Sequence, residues 1–177
     1  MFDDDIINIP KDRIAALIGS KGDTKKKIEE LTKSKLNIDS KTGEVVIENK
    51  DTYMLHKTEE LVKAIARGFS PEKALLLLND DMYIVILHLK EIVGKKEKEI
   101  HTKKARVIGR EGSIREQIEE KTDTFISVHG NTIGIIGNVF GIEIAKEAIM
   151  MLLKGAKIES MKIFLDKRIS KSREFKL

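Results

Sequence analysis

Apolar positions along the chain switch between a helical spacing and a strand spacing, and the switches outline its elements. Ile6 to Ile9 predicts a short strand that Pro10 ends. From Lys11 to Ile18 a helix places Ile14, Leu17 and Ile18 on one face. Gly19 to Gly22 breaks it, and Asp23 stands where it would cap a second helix to Lys33, with Ile28 and Leu31 inward. Leu36-Asn37-Ile38 and Val45-Val46-Ile47 predict two strands across the turn Ser40 to Gly43. A longer helix from Thr52 to Arg67 carries Leu55, Val62, Ile65 and Ala66 at helical spacing, and Gly68 stops it. Ser70 as cap and Pro71 in the first turn open a short helix through Leu78, whose run of leucines must dock on one domain or between two. The pattern then returns. A strand from Met82 to Leu89 leads into one charged helix ending at Ile108, with Ile100, Val107 and Ile108 inward. After Gly109 to Gly112, Ser113 to Glu116 matches a capping box. Strands Phe125 to Val128 and Thr132 to Ile136 turn at Gly130-Asn131, and a helix from about Val139 to Leu153 has Ile142, Ala145, Ile149 and Leu152 as its stripe. Lys157 to Leu177 is basic, helical at its start, with seven Lys/Arg against three acids.

The second pattern copies the first in register. Ile18-Gly19-Ser20-Lys21-Gly22 matches Ile108-Gly109-Arg110-Glu111-Gly112, ninety positions on. At that offset Ile28-Glu29-Glu30 meets Ile118-Glu119-Glu120, Thr32 meets Thr122, Leu36 meets Ile126 and Ile38 meets Val128, while Val45 and Val46 fall on Ile135 and Ile136. One fold has been used twice, so 177 residues hold two small domains rather than one. The boundaries that follow are a first domain over 1–69, a helical connector over 70–81, a second domain over 82–156 and a basic segment over 157–177.

Composition narrows the function. The chain is 41% hydrophobic and 35% charged, with a net charge of +4, which leans toward an anionic partner. It has no cysteine, which excludes disulfides and cysteine-held zinc. The start Met1-Phe2-Asp3-Asp4-Asp5 lacks a basic secretory region, and no apolar run approaches a membrane span, so a cytoplasmic protein is expected. His56, His88, His101 and His129 lack metal-ligand spacing, and the acidic runs Asp3 to Asp5 and Asp80-Asp81 read as solvated turns before strands. Neither a nucleophile motif nor a nucleotide-binding loop is present, so neither a cofactor nor catalysis is expected.

The repeated glycine loop carries chemistry. Two helices meeting at a four-residue turn leave backbone N–H groups at the second helix start without intrahelical acceptors, and these attract an anion. Glycines at both ends permit the turn and let a sugar-phosphate backbone approach. The middle residues point outward, where Ser20, Lys21 and Arg110 can meet phosphate, with Lys25, Arg106 and Arg115 close in sequence. Around the first loop Lys21, Lys25, Lys26 and Lys27 face only Asp23; around the second, Arg106, Arg110 and Arg115 are offset by Glu111 and Glu116. Aromatics make up 5% of the chain, so a binding groove must be aliphatic. Ile14, Leu17, Ile18, Ile28, Leu36 and Ile38, and in the copy Val107, Ile108, Ile118, Ile126 and Val128, supply core and groove together, most of them core.

The order strand, helix, G-x-x-G, helix, strand, strand, helix resembles a type I KH domain in both halves. The resemblance implies an α+β fold of two tandem units, each a three-stranded antiparallel sheet packed on three helices. It also implies loops that clamp about four nucleotides of single-stranded RNA. Glu111 departs from the KH pattern, where a basic or neutral residue is usual. A narrower resemblance lies in Leu89 to Gly94, Arg106 to Arg110, Ile118 to Thr122, Ile126 to Thr132 and above all Ala148 to Ala156. These are similar to the archaeal tandem KH-domain protein of the "partner of Nob" small-subunit ribosome-assembly family. That family implies a monomeric factor near the 3′ end of small-subunit rRNA, with a PIN-domain endonuclease and the translation initiation factor two alpha subunit as partners. The RNA-binding residues expected from the two loops and their flanks are Gly19, Ser20, Lys21, Gly22, Lys25, Arg106, Gly109, Arg110, Glu111, Gly112 and Arg115. Two other readings stay open, an RNA-delivery accessory of an RNA-degrading complex and a KH scaffold for proteins.

Overall fold

In the computed structural model of the chain residues 6–174 are described. The acidic run Asp3-Asp4-Asp5 and the last three residues of the basic segment lie outside them. The chain divides into two compact units, Met1–Met82 and Tyr83–Leu177.

The first unit runs β1 (Ile6–Asn8), α1 (Lys11–Ile18), α2 (Asp23–Thr32), β2 (Lys35–Ile38), β3 (Glu44–Glu48), α3 (Thr52–Ala66) and α4 (Pro71–Leu75). Its antiparallel sheet has the order β1-β3-β2. Alternation along the strands turns Leu36, Val45 and Ile47 inward, where they are buried with Ile14 and Leu17 of α1, Ile28 of α2, and Leu61, Val62 and Ile65 of α3. The Asp51 carboxylate caps α3, accepting the N–H groups of Tyr53 at 2.9 Å and Met54 at 3.3 Å. Ser70 caps α4 through the N–H of Lys73, as its place before Pro71 predicts. The leucine-rich connector packs on α3 and buries Ala74 and Leu77. The hydroxyl of Tyr53 bonds to Asp80, which gives that acidic turn a structural partner.

The second unit runs β4 (Tyr83–His88), α5 (Leu89–Val93), α6 (Glu97–Ile108), α7 (Ser113–Thr122), β5 (Thr124–His129), β6 (Thr132–Gly137), α8 (Val139–Leu153) and α9 (Ile158–Glu174). Its sheet order, β4-β6-β5, copies that of the first. The single charged helix expected before the second loop is two helices, because Gly94 takes φ +93° and breaks it. The C-terminal segment is helical from Ile158 to Glu174, and Met161 and Leu165 of α9 are buried in one core with Ile149 and Leu152 of α8.

The repeat slips in the hairpin. Ile38 faces Val45 in the first unit, whereas its copy Val128 faces Ile133 in the second. Val45 therefore corresponds to Ile133, not to Ile135, because the second turn is two residues shorter. A constant offset misses this, since a tight turn and a longer one serve the same register.

In both units an arginine fastens the helix before the glycine loop to the end of the helix that follows the sheet. Arg13 donates from Nε to the Ile65 carbonyl at 2.9 Å and from Nη2 to that of Phe69 at 2.6 Å. Arg106 donates from Nη2 to the carbonyls of Ala156 at 2.5 Å and Gly155 at 3.3 Å. These are carbonyls at or just past the C-termini of α3 and α8, where a cation is favoured. Arginines at non-corresponding sequence positions do one job, which the repeat alignment hides.

Candidate nucleic-acid interface

The two glycine loops have one backbone. Gly19 and Gly109 take φ 75° and 74°, Lys21 and Glu111 both take φ 52°, and Gly22 and Gly112 take φ 84° and 85°. A non-glycine residue at φ 52° costs about 1–2 kcal/mol, and both copies hold one there. The glycines differ in purpose. A Cβ on Gly19 would stand 2.7 Å from the Thr24 nitrogen, and one on Gly109 would stand 2.9 Å from the Ile114 nitrogen and closer still to the Ile114 side chain. The first glycine of each loop is thus required by packing. A Cβ on Gly22 would meet nothing within 4 Å, and one on Gly112 only Arg115 and Glu116 at 3.6 Å. Gly22 faces space that a ligand can occupy, whereas Gly112 is covered by the ends of Arg115 and Glu116.

Neither α2 nor α7 has a side-chain cap. Asp23 and Ser113 lie inside the first turn, with Gly22 and Gly112 in the cap positions, so the expected Asp23 cap and Ser113–Glu116 capping box do not form. The physical reason is the loop itself: left-handed φ at the glycine leaves the residue after it already helical. By contrast Asp51, Ser70 and Asn138 cap α3, α4 and α8. α1, α5 and α6 also start without a side-chain cap. At the start of α2 and α7 the Asp23 and Ser113 N–H groups turn back to the Ser20 and Arg110 carbonyls, which leaves the N–H groups that follow them for an anion.

The eleven aliphatic candidates sort in the same way in both units. Ile14, Leu17, Ile28 and Leu36 are buried, as are Val107, Ile118 and Ile126; Ile18, Ile38, Ile108 and Val128 are half-buried. The four that reach the surface are two matched pairs, one before each loop and one at the end of each edge strand. In the first unit a groove of about 750 Å³ runs along that edge, lined by Lys25, Ile38, Asp39 and Lys41 among others. The backbone follows the same plan. The Leu36 N–H donates outward to Glu29 at 2.8 Å, while the Asp39 N–H turns inward to the Glu44 carbonyl at 2.9 Å. Strand alternation therefore turns the N–H and C=O of Ile38 to the open edge. Ile126 donates to Glu119 at 2.6 Å, and Val128 takes the matching place.

Charge distinguishes the two sites. Ser20, Lys21, Arg110 and Glu111 are exposed at the loop tips. Lys25 Nζ lies 4.0 Å from Glu29. Arg115 lies 3.8 Å from Glu116 and 3.6 Å from Glu119, and with Glu116 it leans over Gly112, which is buried. Arg106 is brought away from its loop, with its guanidinium committed to the end of α8. The Asp39 carboxyl is held below its ordinary range by the backbone N–H groups of Lys41 and Thr42, so the rim of the first groove keeps a negative charge. In the sequence Glu29 and Glu119 are marked only by matching each other across the repeat and by their spacing of four from Lys25 and Arg115. Among the described residues no group of His, Asp and Glu side chains is placed to hold a metal, and no helix is long and apolar enough to cross a membrane.

Comparison with known proteins bears on both halves. A KH-domain family model matches residues 5–64, and a model described as eukaryotic-type KH domain, type I, of the PNO1 second-domain kind, matches residues 83–170. A KH domain-containing protein of Methanocaldococcus jannaschii is 40% identical over 171 residues, covering 94% of this chain and 74% of that protein. The pre-rRNA-processing protein PNO1 of Coccidioides immitis is 31% identical over 125 residues, covering 69% of this chain and 49% of that protein. Among solved structures, a chain in the a/eIF2alpha–aDim2p–rRNA complex of Pyrococcus horikoshii OT3 superposes with a TM-score of 0.88 at 45% identity, covering 94% of each chain.

Proposed function

Because the chain belongs to the KH-domain family, with a second domain of the PNO1 type, we propose that it is a single-stranded RNA-binding factor for assembly of the small ribosomal subunit. The observation that carries this is the paired site: two loops of one backbone, each opening an uncapped helix beside a half-buried aliphatic pair and an open strand edge. Phosphate is drawn to the helix start and its cation, and bases lie against Ile18 and Ile38, or Ile108 and Val128, within reach of the outward backbone of the strand.

The groups at this site bind and do not break bonds. Amide N–H groups, Lys, Arg and aliphatic side chains surround the loops, with no nucleophile set against a base. The protein acts without catalysis of its own, in the cytoplasm. The rRNA and the initiation factor alpha subunit of the Pyrococcus complex support those two classes of partner for this chain, with the 3′ region of small-subunit rRNA as the preferred ligand.

A competition series decides the matter. The 3′ region of small-subunit rRNA is set against scrambled RNA of equal length and composition at fixed salt. Preference for the rRNA fragment is the expected result. Equal affinities would reduce the protein to a general RNA binder, and absence of binding to either would remove the RNA reading.

A further inference from the structure

In each unit one carboxylate ties the helix after the glycine loop to the edge strand. Glu29 on α2 accepts the Leu36 N–H of β2 at 2.8 Å, and its side chain is 27% exposed. Glu119 on α7 accepts the Ile126 N–H of β5 at 2.6 Å, and its side chain is 16% exposed. The same carboxylates pair with the first basic residue of their helices, Lys25 at 4.0 Å and Arg115 at 3.6 Å. A surface built only to attract phosphate gains nothing from a carboxylate beside its cation. Both copies nonetheless carry one, in one geometry.

Resting on the reading of these grooves as RNA sites, we infer that Glu29 and Glu119 are positioning residues for base discrimination. Each withholds one strand N–H from the ligand and so sets which backbone group a base meets. A carboxylate holds a backbone N–H about twice as strongly as a neutral acceptor does. The carbonyl or ring nitrogen of a base is such a neutral acceptor and does not displace it. The first outward N–H open to a base is then two residues on, at Ile38 or Val128, beside the half-buried side chain of that same residue. Because the tie joins helix to strand, it also fixes the distance between the apolar wall and the hydrogen-bonding edge. Its charge holds Lys25 or Arg115 at the helix wall, so that phosphate and base positions stay in step. Gln in place of Glu keeps the hydrogen-bond acceptor and loses the ion pair; Ala loses both.

The test measures natural protein, Glu119→Gln and Glu119→Ala against homopolymeric A, C and U dodecamers of single-stranded RNA, at several salt concentrations, with thermal unfolding followed in parallel. The natural protein should rank the three RNAs. Glu119→Ala should shrink the ratio of best to worst by about tenfold, the equivalent of one charge-assisted hydrogen bond. Glu119→Gln should shrink the ratio part of the way, by about threefold, because an amide oxygen still accepts the N–H but no longer outcompetes a base for it. Both variants should steepen the salt dependence by up to about 0.7 in log–log slope, since Arg115 is released toward phosphate. A discrimination ratio that survives in Glu119→Ala overturns the inference while leaving the RNA reading intact, and so does equal loss in Gln and Ala. Natural protein that binds the three RNAs alike overturns it too; natural protein that binds none takes the RNA reading with it. The same substitutions at Glu29 repeat the test in the first unit should Glu119→Ala fail to fold.

Discussion

Gly19 to Gly22 and Gly109 to Gly112 share backbone angles to within about ten degrees, yet they present opposite charges at the same point. Lys21 stands at φ 52° where Glu111 stands at φ 52°. Lys25, Lys26 and Lys27 follow the first loop; Arg115, Glu116 and Gln117 follow the second. Arg115 is already engaged by two carboxylates at 3.6 and 3.8 Å, whereas Lys25 meets Glu29 at the outer limit of an ion pair. Loop shape therefore does not depend on loop charge. Packing of the first glycine and left-handed geometry at the third and fourth positions build the clamp, and side chains then decide how strongly it attracts. Lysines dominate the flank of the first loop, whereas acids offset the arginines of the second, so on the proposed RNA-binding reading the first attracts phosphate more strongly.

The largest effect should separate the two glycines within one loop. Gly109→Ala puts a Cβ at 2.9 Å from the Ile114 nitrogen and closer to its side chain, so the helix start must move. Destabilisation of about 2–4 kcal/mol is expected, seen as a fall of roughly 10–30 °C in the unfolding of the second unit. Gly112→Ala meets only flexible side-chain ends at 3.6 Å, leaving a conformational cost of about 1 kcal/mol at φ 85°. Equal shifts for the two would mean that packing does not distinguish them.

A smaller effect separates fold from binding at the arginines. Arg106→Ala should lower the stability of the second unit by about 1–3 kcal/mol and leave RNA affinity within about twofold, because its guanidinium serves the end of α8. Thermal unfolding and RNA titration on one preparation check both halves. Affinity lost at unchanged stability would return Arg106 to the RNA.

Much of this arrangement was legible in the residues. Ile14, Leu17, Ile28 and their copies announce helices by spacing, and the loops announce themselves by recurring. What was hidden depended on how chain segments meet. Asp23 and Ser113 are good caps by type, yet each follows a left-handed glycine and falls inside its helix. Arg106 is near the loop in sequence, but its side chain reaches a carbonyl fifty residues on. Met161 and Leu165 sit in a segment that reads as basic, and their burial appears only once α9 lies on α8. Glu29 and Glu119 look like surface acids until the edge strand offers each an N–H. Pattern reports which face is apolar; it does not report which polar group a side chain will find.

The separation of loop shape from loop charge is tested most directly by exchanging the one residue that differs in sign at one backbone position. Salt dependence of single-stranded RNA binding is measured for the natural chain, Lys21→Glu and Glu111→Lys. Both substitutions keep a non-glycine residue at φ 52°, so the loops retain their strain and their shape. Lys21→Glu should lower the log–log slope by about 0.7, and Glu111→Lys should raise it by about the same amount, the value of one single-strand phosphate contact. Affinity should fall and rise in the same order. Three proteins with one slope would contradict the account, since neither loop would then be touching phosphate.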